Sequence, residues 1–158
     1  MVALLLSVFS LFNMACNTQE VSEVDNAIDS GYATVQKVSV SGTEGNYTFS
    51  VTLKSPDKGC SQYANWWEVI TDNEVLVYRR VLGHSHVKEQ PFTRSGGSVT
   101  ISGSDIVIIR GHMNTTGYGE GEIAVKGSVE NGFEPYIIAK EFGKELESVA
   151  PQPSACAF

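Results

Sequence analysis

From Ala33 onward the chain alternates between positions of opposite character. Val35, Lys37, Ser39 and Ser41 interleave with Gln36, Val38 and Val40, in a stretch rich in β-branched residues. After Gly42-Thr43-Glu44-Gly45, the apolar Tyr47, Phe49, Val51 and Leu53 alternate with Thr48, Ser50, Thr52 and Lys54. Side chains on a strand point to opposite faces in turn, so this pattern predicts a hairpin with one buried and one wet face. Ser55-Pro56-Asp57-Lys58-Gly59 follows as a turn, where proline presets φ and glycine frees it. Further strands are predicted at Trp66–Thr71, Glu74–His86, Ser98–Ile101, Asp105–Met113 and Glu122–Gly127. Short strands bounded by Asn, Asp, Gly or Ser, with no long helical period among them, predict an all-β protein. The first choice of topology is an immunoglobulin-like antiparallel β-sandwich, and a small barrel is the second. Near the end, Ile138, Phe142, Leu146 and Val149 fall at helical spacing, which predicts a short helix over Ala139–Val149 or a tail. Pro151 and Pro153 then stop it.

The start of the chain is different. Val2 to Phe12 is apolar apart from two serines, and no charged side chain precedes Glu20. A bilayer-spanning helix needs about 20 apolar residues, so this run fits a secretory h-region better than an anchor. It ends in Asn13-Met14-Ala15-Cys16, a small residue directly before a cysteine. That segment resembles the lipobox of bacterial lipoproteins, with Asn13 where the family usually has leucine. The resemblance implies that Cys16 becomes the lipidated first residue of the mature chain and its link to the membrane. The expected organisation is a signal peptide at 1–15, a polar tether at 16–31, a β-sandwich at 32–133 and a C-terminal tail at 134–158. Setting Cys16 aside leaves Cys60 and Cys156, an even pair that in an exported chain predicts one disulfide.

Composition narrows the function classes. The chain has 158 residues and a net charge of −7, enough for one domain and too acidic for a general nucleic-acid binder. There is no G-x-S-x-G elbow, P-loop, Rossmann glycine pattern or H-E-x-x-H, so an enzyme is not the leading class.

Two sets of residues carry candidate chemistry. The three histidines, His84, His86 and His112, all lie at the ends of predicted strands. On a strand, i and i+2 share a face, so His84 and His86 would point the same way, and a neighbouring strand could add His112. Three imidazoles with an open fourth position suit zinc, and imidazole also suits copper. Gly83-His84-Ser85-His86 resembles the copper-binding segment of copper–zinc superoxide dismutases. That family's two-metal site takes six histidines and an aspartate, which three histidines cannot supply. The second set is basic. Arg79, Arg80, Lys88, Arg94 and Arg110 lie between positions 79 and 112, opposed there only by Glu89 and Asp105. Such a zone on an acidic protein suggests an anion-binding face, for instance for carboxylated or sulfated glycans. Trp66 and Trp67 are adjacent and so face opposite sides, which makes Trp67 a candidate for stacking on a ligand.

The leading expectation is therefore an exported, lipid-anchored β-sandwich of the bacterial cell envelope, or a secreted one, that binds a glycan or protein partner. Its ligand-binding residues would be Arg79, Arg80, Arg94, Arg110 and Trp67. The rival is a small copper or zinc protein with His84, His86 and His112 as ligands.

Overall fold

A computed structural model describes residues 31–157. Its eight strands are β1 (Thr34–Thr43), β2 (Asn46–Lys54), β3 (Ala64–Thr71), β4 (Leu76–Val81), β5 (Phe92–Val99), β6 (Val107–Met113), β7 (Gly121–Ser128) and β8 (Gly132–Ile138). They form two antiparallel sheets, β1-β2-β5 and β4-β3-β6-β7-β8. Three strands facing β4-β3-β6-β7 is the connectivity of an immunoglobulin-like sandwich, here extended by β8. The expected hairpin is β1–β2, with Ser39 opposite Ser50 and Val40 opposite Phe49.

The inner faces build the main core from Phe49, Val51, Leu53, Trp67, Val69 and Ile109. A second cluster lies on the outer face of the five-stranded sheet, where Trp66, Ile70, Ile108 and Tyr118 are covered by Ile138 and Leu146. Ile138 ends β8, and the segment after it, 139–157, carries Leu146 back over this face as a strap. Strands β3 and β6 are thus buried on both faces.

Four expectations change. First, β4 stops at Val81, so His84 and His86 lie on the following loop and not on a strand. Second, β5 covers Phe92–Val99, where the polar, glycine-paired sequence suggested a connection. A Cβ on Gly96 would sit 2.6 Å from the Tyr78 hydroxyl oxygen, so glycine is there for a close approach between the sheets. Third, β8 straddles the 133/134 line between sandwich and tail, with Pro135 and Glu134 on an edge strand where neither disturbs a central ladder. Fourth, the helix expected over Ala139–Val149 shrinks to one 3₁₀ turn, Lys144–Ser148. Gly143 before it is left-handed, with φ 58°, so no longer helix can pass through.

The register also sorts the molecule into two poles. Thr34 pairs with Lys54, Leu53 with Phe92, Trp66 with Val81 and Gly121 with Ile138. The chain entry, the connections 55–63, 82–91 and 114–120 and the strap therefore share one pole. Short turns carrying Glu44, Asp72, Glu74, Asp105 and Glu130 make the other. The expected signal peptide and all but the last residue of the expected tether lie outside the described residues, and no helix among those described is long and apolar enough to cross a membrane.

Candidate functional site

The basic residues divide between two places. Arg79 on β4 and Arg110 on β6 flank Glu68 on β3, because Glu68 is paired in register with both. Arg79 donates to Glu68 Oε2 at 2.7 Å and Arg110 to Glu68 Oε1 at 2.9 Å, all fully enclosed. The Tyr118 hydroxyl, 3.1 Å from Glu68 Oε2, donates to it. Arg79 Nη2 also donates to the Tyr118 hydroxyl at 3.1 Å, and both arginines donate to the strap. Arg79 reaches the carbonyls of Leu146, Val149 and Pro151, and Arg110 those of Phe142 and Gly143. Arg79 thus supplies a positive partner to the C-terminal end of a short helical turn that has no basic residue in its last turn, while Arg110 holds the two carbonyls that precede the turn.

Aromatic rings complete this layer. Trp66 stacks on His112 with centroids 3.6 Å apart, and the Arg79 guanidinium lies 4.4 Å from the Trp66 ring. Arg110 lies 3.4 Å above Tyr118. The Nδ1 of His112 bonds Asn65 Oδ1 at 2.7 Å, and Glu147 of the strap comes within 3.5 Å of Nε2. Burial, with the charges of Arg79 and Arg110 added, pulls the His112 pKa down to about 3, so the ring is neutral at neutral pH. Burial and Glu68 push the Tyr118 phenol well above its ordinary value.

This geometry corrects the proposed ligand set. Arg79 and Arg110 are buried between the five-stranded sheet and the strap, engaged by Glu68 and by strap carbonyls, so neither is open to an outside anion. Trp67 is fully buried in the main core beside Tyr78. Arg80 is exposed, donating to Ser95 O and Val81 O, and Arg94 pairs with Glu89 at 2.8 Å. Sequence reasoning missed Glu68, the hub of the network. A lone acid at the centre of the apolar run Trp66–Ile70 was the available signal, since such a charge needs partners to be buried.

The histidines also separate. His84 and His86 lie side by side, ring centroids 4.4 Å apart, while His112 belongs to the layer under the strap. His86 is buried and stacks flat on Phe92 at 3.8 Å. Burial, then the nearby charges of Arg94 and His84, lower its pKa to about 4, against a smaller opposing pull from Asp57 and Glu89. Asp57 organises the loop, accepting from Ser55 Oγ, Ala64 N, Ser85 Oγ and His86 N. Among the described residues no three His, Cys, Asp or Glu side chains converge to hold a metal ion. The three-histidine site is therefore not assembled.

The disulfide is present. Cys60 and Cys156 are joined with their Cα atoms 5.6 Å apart, pinning the end of the strap to the 55–63 connection. Next to it, Ala157 N donates to Gly83 O and pairs with His84 in a parallel bridge.

No protein-family description matches the chain, and no solved structure matches it. A protein of Halomicrobium mukohataei named "Putative lipoprotein" is 36% identical over 126 residues, which cover 73% of this chain. The chain spans 59% of that relative's length.

Proposed function

We propose that this protein is an exported, lipid-anchored recognition module of the cell envelope, attached to the membrane through Cys16. The observation that carries the reading is the Cys60–Cys156 disulfide behind a lipobox-like start, because disulfides persist in oxidising, extracytoplasmic compartments. The similarity to a protein named as a lipoprotein supports it.

The recognition surface we assign is the outer face of β1-β2-β5. Ser39, Ser50 and Ser95 form one row of hydroxyls across it, and Lys37, Thr52 and Thr93 form the next. Arg80 reaches the edge of this sheet from β4. Hydroxyl donors with cations and no carboxylate in these rows suit an acidic glycan.

Two measurements test the reading. Mass spectrometry of the N-terminal peptide should find a diacylglyceryl group on Cys16, and Cys16→Ser should move the protein from the membrane to the soluble fraction. A wild-type protein found wholly in the soluble fraction would sink the anchor. Carboxylated and sulfated polysaccharides should bind better than neutral ones, with Lys37→Ala/Arg80→Ala weakening the interaction. Equal binding by wild type and double variant would remove this face from the proposal.

A further inference from the structure

We propose that His84 and His86 form a two-imidazole copper site, with Asp57 setting the tautomer of His86. The site is independent of the recognition role proposed above, and it differs from the ligand set expected from sequence because it leaves out His112.

The starting point is an unsatisfied group. His86 is 2% exposed, and neither ring nitrogen has a hydrogen-bond partner among the described residues. Burying a polar group unpaired is unfavourable, so an imidazole in this state is primed for a ligand. A neutral ring carries one N–H and one lone pair. The Asp57 carboxylate, which only accepts, lies 3.9 Å from Nδ1 and has no hydrogen bond to it. Its charge draws the proton to Nδ1 and leaves the lone pair on Nε2. A ring whose second nitrogen faces a carboxylate is the usual arrangement of a metal-ligating histidine.

The second donor is next to it. His84 is exposed and has no hydrogen-bonded side chain holding it, so its ring can turn about χ1 to present a nitrogen beside His86. Phe92 stacks on His86 with rings 8° from parallel, which keeps that ring fixed while His84 adjusts.

The choice of metal follows from the donor count. Zinc sites take three or four protein ligands, and no third protein donor converges here. Among divalent first-row ions, affinity for a given nitrogen set peaks at copper, so copper is the ion that two imidazoles hold best. Water completes the coordination.

The test is a titration of the full chain, purified without a histidine tag, with copper(II) and separately with zinc(II). Calorimetry follows the binding and electron paramagnetic resonance follows the copper. The expected result is one copper per chain with nitrogen hyperfine structure, weaker zinc binding, and loss of that copper in His84→Ala. Because His84 is exposed, that variant should keep the wild-type melting temperature. His86→Gln serves as the second variant. Copper bound equally by wild type and His84→Ala, or no stoichiometric copper in the wild type, would overturn the site. Zinc bound as tightly as copper would overturn the choice of metal.

Discussion

Glu68 decides more than any other single residue. It stands at the middle of β3, fully buried, and holds two guanidinium groups and a phenol around one carboxylate. Removing one partner of a buried ion pair is far worse than replacing the whole group, because the remaining charges stay desolvated. Glu68→Gln leaves Arg79 and Arg110 facing one another without a counter-charge. It should cost about 3–5 kcal/mol in denaturant unfolding. A loss under about 1 kcal/mol would mean that the strap carbonyls alone suffice to hold the arginines. Arg79 and Arg110 were visible in the sequence as a basic zone, but their partners were not. Glu68 is eleven residues from Arg79 and forty-two from Arg110, and only strand register brings them together.

Among the elements, the strap is the one whose role is set by long-range contact. Its residues have weak local preference for any structure, as the single 3₁₀ turn and left-handed Gly143 show. It is held instead by Leu146 in the outer cluster, by five carbonyls on two arginines, and by a disulfide near its end. The disulfide closes 96 residues of chain, so in the chain-entropy picture it restricts the unfolded state strongly. Cys156→Ser should therefore lose about 2–5 kcal/mol. Hydrogen exchange should show faster opening at residues 152–157 than at 142–149, where the arginines still grip. Uniform loosening of the whole strap in that variant would show that the disulfide, rather than the arginine pair, sets its order. Strand β5 makes the converse point. Its Ser-Gly-Gly sequence reads as a loop, and it is a strand because β2 supplies a ladder and Tyr78 leaves no room for a side chain at Gly96.

At the scale of the whole molecule, the two buried histidines make stability depend on acid. His86 and His112 have folded-state pKa values of about 4 and about 3, below the ordinary 6.5. The unfolded state therefore takes up protons first as pH falls below 6.5, and the balance shifts toward unfolding. Their contribution is complete above about pH 6.5 and declines as pH falls through 6 and 5 toward 4. Together they should remove on the order of a few kcal/mol by pH 4, read as a falling melting temperature. His86→Phe should flatten part of that slope, and a melting temperature unchanged between pH 7 and pH 4.5 would refute the assignment.

The amino-acid sequence by itself settled what local chemistry can settle. Period-two alternation from Val35 to Leu53 and the turn residues between runs made the protein all-β, and two cysteines after an apolar N-terminal run pointed to a disulfide. Alternation states which side chains share a face, and it does so because the strand repeat is two residues. It does not state what covers that face. The tertiary structure alone placed the strap over the outer face of the five-stranded sheet, joined Arg79 and Arg110 to Glu68 beneath it, and sent His112 to Trp66 while His84 and His86 stayed together on a loop. Those outcomes depend on strand order and register between segments tens of residues apart. Their energies come from burying charge and ring surface against partners that no local pattern records.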